Sequence, residues 1–170
     1  MIQHEVLVAR ALQYVVDEHK LTKESLLTIP GPLKNKLMDL TMEIAEDMKY
    51  NQLKYFRPFE HQHSFFRTGH SARRGILAAN RIGKTVSTCY ETAYHLTGRY
   101  PEWWKGKRYD NPIICMAAGE SWEQVAKTLQ NKLLGCDDIK QGYKLGTGSI
   151  PRECTIDPGD VIGNHPILKK

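Results

Sequence analysis

Residues 78–85 read Ala78-Ala79-Asn80-Arg81-Ile82-Gly83-Lys84-Thr85, and this octet constrains the chain more than any other stretch. Gly-Lys-Thr is the ending of a phosphate-binding loop. Gly83 lets backbone N–H groups approach phosphate oxygens with no Cβ in the way. Lys84 brings a point charge to the β- and γ-phosphates, and the Thr85 hydroxyl is a Mg²⁺ ligand. Ala78 stands where the usual pattern has glycine. Such a loop works only between a strand and a helix whose N-terminus points at the phosphate. Gly75-Ile76-Leu77-Ala78-Ala79 is a continuous apolar run, as a strand buried on both faces would be. Val86, Cys89, Tyr90, Ala93, Tyr94 and Thr97 then recur at helical spacing, with Gly98 as a stop and Pro101 beyond it.

A second unit of the same kind follows. Pro112 to Ala118 is apolar and predicts a strand; Gly119-Glu120 turns the chain, and Ser121-Trp122-Glu123-Gln124 is a capping signal. Trp122, Val125, Ala126, Leu129 and Leu133 predict the inner stripe of a helix ending at Gly135. Two strand–helix units in series predict an α/β fold with a parallel sheet and right-handed crossovers. Beyond Gly135 the pattern fades into Gly, Asp and Pro.

The first fifty residues read as helices. Ile2, Val6, Ala9, Leu12 and Val16 form one stripe, Thr22 to Leu27 a short second helix, and Pro30-Gly31-Pro32 a break. Leu33, Leu37, Leu40, Ile44 and Met48 predict the face of a third helix. Its acidic residues fit a helical appendage better than a DNA-reading helix. Before the loop, Phe59 and Gln62 suggest an adenine site: an amide can read the base edge with one donor and one acceptor while a flat group stacks. His61, His63 and His70 do not share a face and read as solvated or hydrogen-bonded side chains rather than metal ligands.

Composition fits this picture. The chain has 170 residues, 41% hydrophobic and 25% charged, enough for one domain with a core. No apolar run approaches the ~20 residues of a membrane span. Cys89, Cys115, Cys136 and Cys154 are widely spaced and read as reduced cysteines in the cytoplasm. The net charge of +5 is compatible with a polyanionic partner. The basic groups Arg67/Arg73/Arg74 and Lys105/Lys107/Arg108 are local. In the second, Trp103 and Trp104 could stack on nucleic acid or cover the core; the buried habit of Trp favours the core.

The ordered combination of Ala78 to Thr85, His95-Leu-Thr-Gly-Arg-Tyr-Pro101, Trp104-Lys-Gly-Lys-Arg108, Gly119-Glu120 and Gly148-Ser-Ile-Pro151 resembles the large terminase subunit of tailed bacteriophages. Phe59-x-x-Gln62 resembles that family's adenine-contacting segment. The resemblance covers roughly residues 55–157 and implies a DNA-packaging motor in the cytoplasm of a bacterial host. Its fold would be an ASCE-type P-loop NTPase sheet with flanking helices, present here in part. ATP and Mg²⁺ would be the cofactors, Lys84 and Thr85 the phosphate and metal contacts, and Arg81 the residue acting near the γ-phosphate. Some relatives place that arginine one residue earlier, where this chain has Asn80. Partners implied are double-stranded DNA, the portal protein and the small terminase subunit.

The division expected is a helical segment at 1–54, the beginning of the ATPase domain at 55–157 and an unassigned tail at 158–170. Hydrolysis also needs an acid to hold Mg²⁺ and usually a Glu to orient water. Glu120 follows a strand that the family places too early, and Asp157 and Asp160 lack an apolar run before them. A nuclease centre would need an acidic cluster, which is not found in this sequence. The expectation is therefore a truncated chain able to bind nucleotide without turning it over. Competing readings are a helicase-like P-loop ATPase, a nucleotide kinase, and a non-catalytic DNA- or partner-binding remnant.

Overall fold

The computed structural model describes residues 4–135 and 145–155. The tail at 158–170, Asp157, Asp160, Cys136 and Ile2 lie outside them. The chain divides into two compact units, Met1–Tyr50 and Asn51–Lys170.

In the first unit, α1 (His4–Glu18) packs on α3 (Gly31–Tyr50), with the short α2 (Lys23–Thr28) between them in sequence. The buried stripe of α1 is Leu7, Ala11 and Val15, and that of α3 is Thr41, Ala45 and Met48. Both are displaced from the stripes predicted above: Val6, Leu12, Leu33 and Leu40 are exposed. Small side chains explain the shift. Ala11, Thr41 and Ala45 let two helices approach closely, and hydropathy alone does not register that preference. Thr22 caps α2, its hydroxyl accepting from Ser25 N at 3.1 Å.

The second unit is built on α4 (Glu60–Arg67) and α5 (Lys84–Thr97), followed by a helical run of α6 (Trp122–Val125), a π-helical stretch (Ala126–Gln130) and α7 (Asn131–Leu134). The π stretch rotates the helix face. Ala126, Gln130 and Leu134 are buried, whereas Trp122 of the predicted stripe is exposed. Ser121 opens the run, its hydroxyl accepting from Gln124 N at 3.2 Å. The turn at 145–151 closes it. Gly146, Ser149 and Ile150 donate N–H groups to the carbonyls of Leu134, Lys132 and Leu133, satisfying the orphan acceptors of a helix end. Gly148 is required there, since a Cβ would sit 2.4 Å from Leu133 O.

The core is aromatic. Phe66, Tyr94 and Trp104 are buried with Leu53, Ala93, Leu134, Leu145 and Ile150. Trp104 lies 5.4 Å from Phe66 and 5.3 Å from Tyr94 between ring centroids, and Phe56 stacks on Tyr90 at 3.7 Å. The Trp pair thus covers the core.

The parallel sheet is not present, and the α/β P-loop assignment is corrected on this point. Among the described residues there is no strand; the pairing found is one isolated antiparallel bridge, Thr147–Pro151. The apolar runs at 75–79 and 112–118 are irregular and solvent-facing, with Leu77 102%, Ile114 93% and Met116 89% exposed. A parallel strand is stable only with hydrogen-bonded neighbours and helices over both faces. Apolar composition made these segments candidates, but pairing and cover make a strand, and neither run has them here.

Tyr94 gives a first expectation. Its ring is buried and, among the described residues, its hydroxyl has no hydrogen-bond partner. Tyr94→Phe should therefore raise stability, by about 1 kcal/mol in chemical denaturation at neutral pH, because an unsatisfied buried hydroxyl is removed. Burial also pushes the Tyr94 phenol well above its usual value and the Cys89 thiol up to about 11. Folded values above unfolded ones mean stability that is fully present below about pH 9 and lost as pH climbs toward 11 and beyond. The phenylalanine variant should show a shallower alkaline loss.

Candidate functional site

The site is assembled where α4 and α5 meet. Lys84 is the first residue of α5, and Gly83 is its N-cap with φ +90°. Arg81, two residues earlier, is also left-handed at φ +65°, a conformation that costs a non-glycine residue roughly 1–2 kcal/mol. Such strain concentrates at ligand-binding loops. The Lys84 ammonium turns back over the loop and donates to Ala78 O at 2.5 Å and Ala79 O at 2.9 Å. An ammonium has three N–H groups, so one is left for an anion. Ala78, Ala79, Asn80, Arg81 and Ile82 are exposed, and Thr85 is half-buried.

The turn that opens α4 lies on this loop. Gln62 is buried, its Oε1 accepts from Phe59 N at 2.9 Å, and its Nε2 would be 2.7 Å from a Cβ at position 83. A side chain at position 83 would push the Gln62 amide aside, and the φ of +90° itself favours glycine. Phe59 stays 70% exposed, its ring parallel to that of His61 at 5.7 Å. His61 Nε2 lies 3.0 Å from Ile82 O. The structure therefore brings Phe59, Gln62, Gly83 and Lys84 together. His61 belongs with them, a placement that its spacing in the sequence does not reveal. Among the described residues, Arg81 has no hydrogen bond or ion pair that ties it to this group.

From Lys84 and Thr85 a cleft of about 620 Å³ runs along one face of α5, past Thr88, Glu91, Thr92 and His95, with Phe65, Arg74 and Tyr109 opposite. Glu91 is its buried anchor. Oε2 accepts from Arg74 Nη2 at 2.7 Å, and Oε1 faces His95 Nε2 at 3.8 Å, too far for a hydrogen bond. Arg74 also donates to Phe65 O at 3.1 Å and lies over the Phe65 ring. His95 Nδ1 is 2.9 Å from Tyr100 Oη, which accepts from Tyr109 N at 3.0 Å. His95 thus bridges Tyr100 and Glu91, with Nδ1 on the Tyr100 side and Nε2 on the Glu91 side. Burial pushes the Tyr100 phenol up. This chain of contacts joins the segment entering the 78–83 loop to the helix leaving it. Sequence reasoning missed Glu91, although its place on the Lys84–Thr88–His95 face was a visible signal.

A curated protein, the large terminase subunit of Salmonella phage P22, is 36% identical to this chain over 135 residues, which is 71% of this chain and 26% of the relative. Over that stretch the chain belongs to the terminase large-subunit family. It spans about a quarter of the length of that relative. No family model and no solved structure matches the chain. Among the described residues of this terminase homologue, no helix is long and apolar enough to cross a membrane.

Proposed function

We propose that the second unit binds Mg²⁺-ATP as part of a phage DNA-packaging motor. The observation that carries this reading is the seating of the Phe59–Gln62 turn directly on Gly83, beside a lysine that opens a helix. In this reading Gly83 and the peptide groups of 78–82 surround the phosphates. Lys84 contributes its remaining N–H to a phosphate oxygen, and Thr85 ligates Mg²⁺. Arg81 acts near the γ-phosphate. Phe59 offers an exposed face to the base, with the Gln62 amide at its edge. Bound ATP would supply the driving reaction, whereas these residues bind and orient it. Phosphate contacts of this sort stabilise the ground state and do little for the barrier, so the proposal for this stretch is binding. Hydrolysis, translocation of double-stranded DNA, and work with a portal protein and a small subunit are proposed for the whole terminase subunit.

The base site supplies the test. The chain should bind ATP several-fold more tightly than GTP in competition against a fluorescent ATP analogue, and Gln62→Ala should abolish that preference. One neutral hydrogen bond is worth about 0.5–1.5 kcal/mol, which sets the size expected. Equal affinity for the two nucleotides in the unmodified chain, or an undiminished preference after Gln62→Ala, would remove Gln62 from the site.

A further inference from the structure

Arg74 and Glu91 form an ion pair that the nucleotide contacts above do not use. Glu91 is 6% exposed, and the Arg74 side chain 20%. A pair so placed is a poor source of stability, because desolvating both charges offsets their attraction and an apolar pair of like volume does as well. This one is also incompletely bonded: among the described residues, Glu91 Oε1 has no hydrogen-bond partner. A fixed, directional contact supplies position instead. The guanidinium ties its own segment to two helices. Nη2 donates to Glu91 on α5, Nη1 donates to Phe65 O in the last turn of α4, and Cζ lies 4.5 Å from the Phe65 ring centroid. Residues 72–78 depend on such a tie. Among the described residues they make no main-chain hydrogen bond, and Leu77 stands clear in solvent. Four residues on from Arg74 is Ala78, whose carbonyl, with that of Ala79, accepts from Lys84. Glu91 lies about two turns along α5 from Lys84, on the same cleft-lining face. Four residues reach at most about 14 Å, so a displacement of Arg74 is carried to the carbonyls that hold Lys84.

We propose that Arg74 and Glu91 are positioning residues of the nucleotide site. Their pairing sets where the segment entering the 78–83 loop delivers Ala78 and Ala79, and so where the Lys84 ammonium points. Neither is assigned a contact with the nucleotide. The inference rests on the proposed function, since the direction of Lys84 matters to binding only if it meets a phosphate. A pair that merely stabilised the unit would be replaceable by two apolar side chains with no loss of affinity. A pair that positions the segment is not.

Arg74→Met with Glu91→Leu separates the two cases, because it removes both charges and leaves neither orphaned. In urea denaturation of the full chain, the midpoint of this double variant should match that of the unmodified chain. Calorimetric titration with Mg²⁺-ATP should nonetheless show affinity lowered about tenfold, within the range for groups coupled through a shared backbone shift. Adding Lys84→Ala to the double variant should cost less than the same change in the unmodified chain, because the lysine is already misdirected. Arg74→Lys keeps a cation against Glu91 but not the fork that also reaches Phe65 O, and its affinity should lie between the two. Tryptic cleavage after Arg81 without nucleotide reads the segment itself and should quicken severalfold in the double variant. If that variant does not fold, Glu91→Met alone, after which Arg74 can turn to water, is held to the same outcomes. Affinity equal to that of the unmodified chain, unchanged cleavage after Arg81, or an equal effect of Lys84→Ala in both backgrounds overturns the inference and leaves the proposed function standing. Absence of Mg²⁺-ATP binding by the unmodified chain overturns both.

Discussion

Trp104→Ala should destabilise the second unit by about 3–5 kcal/mol, the cost of deleting a fully packed aromatic side chain and leaving a cavity. Trp104 is 3% exposed, and its ring touches those of Phe66, Tyr94, His95 and Tyr100. Its indole N–H also holds the 105–108 loop in place through Lys107 O. Collapse of the surrounding groups onto the void is limited, because these neighbours come from α4, α5 and the 98–110 loop and cannot all close together. A loss of this size is a large share of the 5–15 kcal/mol typical of a domain. Urea denaturation followed by far-UV circular dichroism should show the midpoint of the second unit falling steeply, with near-UV aromatic signal lost first. A shift of less than about 1 kcal/mol would mean that this aromatic cluster is not what holds the unit together.

The sequence made the helices legible because their signals are local. Gly83, Gly98 and Gly135 mark helix ends in the left-handed conformation that glycine tolerates, and Ser121 caps where its spacing to Gln124 says it should. Stripe phases were less legible. In α1 and α3 the contact is made by Ala11, Thr41 and Ala45, residues that hydropathy does not single out. The π-helical stretch turned the 122–134 stripe by an amount no period of 3.6 anticipates. The sheet is the largest difference. The run Ile113 to Ala118 has the composition of a buried strand, yet a strand is a property of pairs, and apolar content cannot say whether a partner is present.

At the site, Gly83, Lys84 and Gln62 were visible as motif residues. The left-handed φ of Gly83, with the Gln62 amide close by, gives a physical reason for glycine at that position. His61 was not visible as part of the site, and Glu91 showed only as a place on the Lys84–Thr88–His95 face. Their roles depend on Ile82 O and on Arg74 arriving from elsewhere in the fold, and no spacing rule encodes such meetings.

Lys84→Ala carries the central claim. The helix start does not depend on this side chain, since Gly83 caps α5 through its backbone and, among the described residues, the Lys84 ammonium bonds to the exposed carbonyls of Ala78 and Ala79. Folding should therefore be retained, and circular dichroism of the variant should overlay that of the unmodified chain. Nucleotide affinity should not survive intact, because a charge-assisted contact to a phosphate is worth about 1.5–3 kcal/mol. The most direct measurement is a calorimetric titration of the full chain with Mg²⁺-ATP, beside the same titration of Lys84→Ala. The predicted result is saturable binding by the unmodified chain and a loss of about 10- to 150-fold in the variant. No binding by a folded, unmodified chain, or equal affinity in the two proteins, would contradict the assignment of a nucleotide site to this loop.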